Sequence, residues 1–104
     1  MNDEITDKDD IFISNECTRN AILKFIHKEI PYNLTVNNIS YVMLKNGNIK
    51  IKQSIQLKNM RHKSIILGKN GETIKKIRLC SQKEISKILN VKIYLYLLIN
   101  KINA

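Results

Sequence analysis

The sequence predicts an α+β domain: a three-stranded mixed sheet with helices on one face, in the order α-β-β-α-α-β. Three observations lead there. Asn46-Gly47 lies between two strand-like runs, the strongest short signal for a hairpin. Apolar and polar residues alternate from Ile49 to Lys58 and again from Val91 to Asn100, the period of a half-buried strand. Between those two strands lie two helical patterns broken by Gly68-Lys69-Asn70-Gly71, and a right-handed helical crossover makes the flanking strands parallel.

Residues 1–13 read as an acidic linker and residues 14–104 as the domain. Ser14 or Asn15 is suited to cap the first helix. Cys17, Ala21, Ile22, Phe25 and Ile26 then share a helical face. Pro31 ends that helix, because it disfavours helical geometry at Ile30 and has no N–H to donate. Thr35, Val36, Ile39, Tyr41 and Val42 are strand formers. In the second strand Ile49, Ile51, Ile55 and Leu57 point one way, with Gln53 as the exception, and Lys50, Lys52, Ser54, Gln56 and Lys58 point the other. A short helix covers 61–67. In the long helix Ile74, Ile77, Ile85 and Ile88 recur near helical spacing, with Lys75, Lys76, Lys83, Glu84 and Lys87 outside and Asn90 at the end. Ile93, Leu95, Leu97 and Ile99 alternate with Tyr94, Tyr96, Leu98 and Asn100 in the last strand.

Length and charge narrow the function. A chain of 104 residues suits one domain. Its net charge of +9 is unevenly spread. Asp3, Glu4, Asp7, Asp9, Asp10 and Glu16 against Lys8 leave residues 1–16 at −5, so the other 88 residues stand at +14. So basic a body seeks a polyanion, nucleic acid or an anionic membrane surface; a solvated, Lys-rich exterior is the bland alternative. Cys17 and Cys80 lie 63 positions apart without a CxxC, and His27 and His62 are not at zinc-ligand spacing. Neither a metal site, a disulfide nor a cofactor is expected. No apolar run approaches a membrane span, and the acidic amino end is the opposite of a signal or transit peptide. No nucleophile–base pair suggests catalysis.

The turn Gly68-Lys69-Asn70-Gly71 carries the functional argument. Two glycines three apart let the chain reverse sharply between helices, and the missing β-carbons let a nucleic-acid backbone come close. N–H groups at the start of the second helix face outward, where the helix dipole favours phosphate. Lys69 adds charge at the tip and Asn70 a donor, while Arg61, Lys63, Lys75 and Lys76 extend the positive field. Aromatic stacking is not available here, since none lies between Tyr41 and Tyr94. Bases would instead rest on aliphatic side chains: Ile65 or Ile66 with Ile74 on one side, the strand from Ile55 to Lys58 on the other. Each of those residues is equally suited to the core. A P-loop is excluded, because Gly71 is followed by Glu72 rather than by Lys and a hydroxyl residue.

Three segments together resemble the carboxy-terminal KH domain of the Era GTPases: Glu29-Ile30-Pro31-Tyr32, the run from Ile65 to Ile77, and Val91-Lys92-Ile93-Tyr94-Leu95. The resemblance covers about residues 6–101. It implies a type II KH fold, in which a GxxG turn clamps about four nucleotides. It also implies single-stranded RNA as partner, the 3′ end of small-subunit ribosomal RNA, bound during assembly of the small ribosomal subunit. In that family an N-terminal GTPase domain precedes the KH domain. These residues hold no P-loop, Asn-Lys-x-Asp or switch segment, so a non-enzymatic fragment or isolated domain is expected, in bacterial cytoplasm or in the matrix of a mitochondrion or plastid. Asn70 departs from the basic or small residue common there, and Leu98 from a late aromatic. A second expectation, of another class, is a KH-fold protein-interaction module that docks through Tyr94, Tyr96 and Leu98.

Overall fold

The computed structural model describes residues 7–27 and 34–102. Helix α1 (Asp7–Phe25) is followed by strands β1 (Leu34–Met43) and β2 (Ile49–Leu57). Next come helix α2 (Lys63–Leu67), helix α3 (Glu72–Leu89) and strand β3 (Ile93–Lys101). Single 3-10 turns at Met60–His62 and Lys69–Gly71 precede α2 and α3. The sheet order is β1-β2-β3, with β1 antiparallel and β3 parallel to the central β2. This is the architecture the sequence predicts.

Several details differ from the sequence reading. Helix α1 begins at Asp7, seven residues before the expected cap, so half of the acidic stretch read as linker is helical. Carboxylates in a first helical turn oppose the positive end of the helix dipole and favour that extension. Ser14 caps nothing: it is buried within α1, and its hydroxyl donates to the Asp10 carbonyl at 2.7 Å. Pro31, with the rest of the Glu29–Tyr32 run, lies outside the described residues. The hairpin is also built differently. Gly47 N–H donates to the Leu44 carbonyl and Gly47 has φ +89°, while Asn46 keeps a negative φ. This is a turn closed by one left-handed glycine, whereas the Asn-Gly signal is that of a turn in which both residues take positive φ.

The core sits between the sheet and the helix pair α1–α3 and is divided by a polar waist. One apolar half contains Ala21, Ile22, Ile26, Leu34, Ile55, Leu57, Ile66 and Ile77. The other contains Cys17, Ile49, Ile51, Ile85, Ile93 and Leu95. At the junction lie three fully buried polar residues, Thr18 on α1, Gln53 on β2 and Ser81 on α3. The Thr18 hydroxyl donates to Gln53 Oε1, and Gln53 Nε2 donates to Asn15 Oδ1 at 3.3 Å. The Ser81 hydroxyl donates to the Ile77 carbonyl at 2.6 Å. Gln53 therefore keeps its place on the core face because partners on α1 replace the water it loses. Ile88, read as part of the inward stripe, is 51% exposed; the buried stripe of α3 is Ile77, Ser81 and Ile85, at spacing of four.

Helix α3 ends at Asn90, in the left-handed region at φ 55°, whose N–H donates to the Ser86 carbonyl. The outer edge of β3 is partly covered: Leu95 N–H donates to Gln82 Oε1 of α3 at 2.9 Å. An edge amide thus satisfied offers less template for unwanted strand pairing.

Candidate nucleic-acid interface

The turn between α2 and α3 is built by three consecutive backbone devices. Gly68 N–H closes α2 on the Ser64 carbonyl at 2.9 Å, and Gly68 then takes φ 74°, ψ 175°, a conformation reserved for glycine. Asn70 follows at φ 56°, ψ 26° and Gly71 at φ 74°, ψ 15°, both left-handed. Gly71 N–H donates to the Gly68 carbonyl at 3.2 Å, and Glu72 N–H to the Lys69 carbonyl. Among the described residues, the amides of Lys69 and Asn70 donate to no protein acceptor. No side chain caps the start of α3.

The two glycines do different work. A β-carbon on Gly68 would lie 2.1 Å from Thr73 Oγ1 and 2.8 Å from the Thr73 backbone nitrogen, so the missing atom is replaced by the protein's own first helical turn. A β-carbon on Gly71 would meet nothing within 4 Å. Close approach by a ligand is therefore possible at Gly71, while Gly68 serves internal packing. Thr73, which the sequence reading did not single out, is the residue that fixes Gly68. Asn70 is the side chain that best tolerates left-handed backbone outside glycine, which accounts for its presence in place of the basic or small residue common in the resembled family.

Lys69 and Asn70 are exposed at the tip, with Gly68 and Gly71 half-buried beside them. Arg61, Lys63, Lys75 and Lys76 are exposed as well, and Glu72 is the one acidic residue between positions 61 and 76. Asn59 Oδ1 accepts from Arg61 N–H at 2.9 Å and so fixes the entry to Arg61 and Lys63. The predicted cations thus gather on one exposed connection. The predicted aliphatic wall does not. Ile66 is 0% exposed and packs in the core, because the five-residue helix turns that position inward. Ile65, at 36%, and half-buried Ile74 remain available. Ile55 and Leu57 are also 0% exposed, on the core face of β2, so the strand cannot supply the second wall.

Cys17 and Cys80, remote in sequence, line one recess between α1 and α3 with Asn20, Ala21, Lys24 and Glu84, both as free thiols. Burial, then Glu84, Cys80 and Glu16, push the Cys17 thiol above its ordinary pKa. Among the described residues no group of three His, Cys, Asp or Glu is placed to hold a metal ion, and no helix is long and apolar enough to cross a membrane.

Comparison with known families decides the class. A family model described as "KH domain" matches residues 22–103. The chain belongs to the KH domain family. This KH domain is 40% identical over 96 residues to GTPase Era of Ehrlichia canis, covering 92% of the chain and 32% of that protein. It is 37% identical over 102 residues to GTPase Era of Rickettsia prowazekii, covering 98% of the chain and 34% of that protein. The chain therefore spans about a third of the length of the curated relatives it matches. A crystal structure of Aquifex aeolicus Era bound to GDP·AlF4− superposes with a TM-score of 0.83 at 23% identity, over 88% of this chain and 31% of that one. Another, of Era in complex with MgGDPNP and nucleotides 1506–1542 of 16S ribosomal RNA, gives 0.80 at 24%, over 86% and 30%. At those identities the likeness is one of fold, and the element order of this KH domain is that of the type II arrangement.

Proposed function

We propose that this KH domain binds single-stranded RNA at the turn Gly68–Gly71, as the RNA-binding part of an Era-like ribosome-assembly GTPase. The observation that carries the reading is the turn itself: two unused amides at Lys69 and Asn70, an open approach over Gly71, and Lys69 exposed at the start of α3. Phosphates bind the amides and Lys69, helped by Arg61, Lys63 and Lys75, and Ile65 and Ile74 offer the bases an apolar contact. The target is the 3′ end of small-subunit ribosomal RNA. Support comes from the Era structure that holds nucleotides 1506–1542 of 16S ribosomal RNA on a chain of this fold. The domain acts as a binding module on the small ribosomal subunit, and GTP hydrolysis belongs to an N-terminal GTPase domain of the full-length protein. Bacterial cytoplasm or an organelle matrix is where such an assembly step takes place.

The test is titration of a mixed-sequence single-stranded RNA against wild type and Lys69→Asp/Asn70→Asp across salt concentrations. The variant is expected to bind weakly, with a log–log salt slope reduced by about 0.7 for each phosphate it no longer neutralises. Unchanged affinity in a folded variant refutes the clamp. A second reading, protein docking through Tyr94, Tyr96 and Leu98, has only the exposure of Tyr96 and Leu98 behind it. The ratio of absorbance at nucleic-acid and protein wavelengths, before and after a high-salt wash of purified protein, separates the two: co-purifying RNA supports the first.

A further inference from the structure

The helices leave one face of the sheet bare. Strand register places Lys50 beside Tyr94, Lys52 beside Tyr96, Ser54 beside Leu98 and Gln56 beside Asn100 on that face. Val42 and Ser40 of β1 continue the first two rows. Tyr96 is 48% exposed, Leu98 45% and Val42 48%. Neither α1 nor α3 covers them, because both pack on the opposite side.

Charge on this face is of one sign. On this face β2 carries Lys50 and Lys52, the three strands hold neither Asp nor Glu, and Lys45, Lys58 and Lys92 flank them. Every acidic residue among the described ones, from Asp7 to Glu84, sits on α1 or α3. Among the described residues two lysines find partners only in aromatic rings: Lys50 Nζ lies 5.5 Å from the Tyr96 ring centre and Lys92 Nζ 5.2 Å from that of Tyr94. A nucleotide would satisfy both groups better, offering its base to the ring and its phosphate to the ammonium.

From this geometry we infer that the open sheet face is a second binding surface for single-stranded RNA, with Tyr94 and Tyr96 as stacking platforms and Lys50, Lys52 and Lys92 as phosphate contacts. The inference rests on the chain being an RNA binder, and it adds a site separate from the clamp. Helix α3, 18 residues and about 27 Å long, runs from the clamp at one end to the start of β3 at the other. Alternate residues of one strand stand about 6.6 Å apart, so Tyr94 and Tyr96 take two bases of a stretched, unstacked strand. The amides nearby already have partners: Asn48 Nδ2 donates to the Tyr94 hydroxyl at 3.5 Å, Asn37 Nδ2 to Gln56 Oε1 at 2.7 Å and Asn100 Nδ2 to Ser54 Oγ at 2.9 Å. The surface therefore holds RNA with little preference among bases. A protein partner suits it less, since interface cores are depleted in lysine, and here Lys50 and Lys52 interrupt the two rows that carry Tyr94 and Tyr96.

The experiment uses a fluorescent oligouridylate of twelve nucleotides with four proteins: wild type, the clamp variant Lys69→Asp/Asn70→Asp, Tyr96→Ala, and Lys50→Gln/Lys52→Gln. Anisotropy gives the affinities, and ultraviolet cross-linking followed by peptide mapping gives the contact. Tyr96→Ala is expected to weaken binding at least about five-fold, and the double lysine variant to flatten the salt slope by about 1.4. Adducts are expected at Tyr94 or Tyr96 and persist in the clamp variant. Adducts confined to residues 61–76, or an unchanged affinity of Tyr96→Ala, overturn the second site while leaving the clamp intact. A wild-type dimer in sedimentation that Tyr96→Ala dissolves overturns it in favour of self-association. Loss of all binding in the clamp variant, adducts on β3 included, reduces the protein to one site.

Discussion

Replacing Gly68 by alanine tests the idea that the first glycine of the turn is there for packing and the second for access. Alanine at φ 74°, ψ 175° enters a region essentially restricted to glycine, at about 1–3 kcal/mol. Its β-carbon also meets Thr73: 2.1 Å from Oγ1, 2.6 Å from Cβ and 2.8 Å from the backbone nitrogen. Rotating the threonine relieves only the first of these, so the turn or the start of α3 has to shift, an overpacking cost of about 1–3 kcal/mol. The sum is about 2–6 kcal/mol against a total stability of about 5–15 kcal/mol. At about 4–8 °C per kcal/mol for a domain this size, Tm falls by about 8 °C or more. Gly71→Ala meets no neighbour and bears only left-handed strain of about 1–2 kcal/mol. Thermal and urea unfolding, followed by far-ultraviolet circular dichroism without RNA, should rank Gly68→Ala as the more damaging, and Thr73→Ala should not rescue it because the Cβ and nitrogen contacts remain. RNA affinity measured at low temperature, with both variants folded, should show that Gly71→Ala also loses binding. Equal destabilisation by the two alanines would refute the division of labour.

The polar waist should behave as a coupled unit. Thr18→Val leaves buried Gln53 Oε1 without its donor and should destabilise by about 1–3 kcal/mol, whereas Thr18→Val/Gln53→Met should recover most of that in denaturant titrations, and additive effects would show the pair uncoupled. At the end of α3, Asn90→Ala forces a β-carbon without amide compensation into φ 55° and should cost about 1–2 kcal/mol, while Asn90→Gly should not lower Tm. Because the Cys17 thiol is held above its ordinary 9.0, the folded state keeps that proton after the unfolded chain has lost it. Its contribution to stability is therefore complete below pH 9.0 and lost as pH rises above it. The fall in stability above that pH should be shallower in Cys17→Ala, and identical pH profiles would remove the linkage.

Patterns local to the chain were legible before any coordinates. Alternation in 49–58 and 91–100, the glycine of the hairpin and the paired glycines of the turn each encode a backbone state directly, so the order of elements and the exposed basic turn follow from sequence. Ile66 shows where that reading stops. In the run Ile65-Ile66-Leu67 three similar side chains follow one another, and a helix of five residues has too little periodicity to say which one turns inward. Gln53 looked like a break in a pattern because its partners, Thr18 and Asn15, are 35 and 38 positions away.

The sequence alone thus determined the elements, their order, the sign of the charge and the turn that presents it, since these depend on neighbours along the chain. Tertiary structure alone decided that Thr73 occupies the space beside Gly68, that Cys17 and Cys80 share a recess, that Ile66 is withdrawn from any ligand, and that lysines and tyrosines of two strands meet on a face free of acids. Those facts arise from packing between segments far apart in sequence, where contact depends on the register of strands and the rotation of helices.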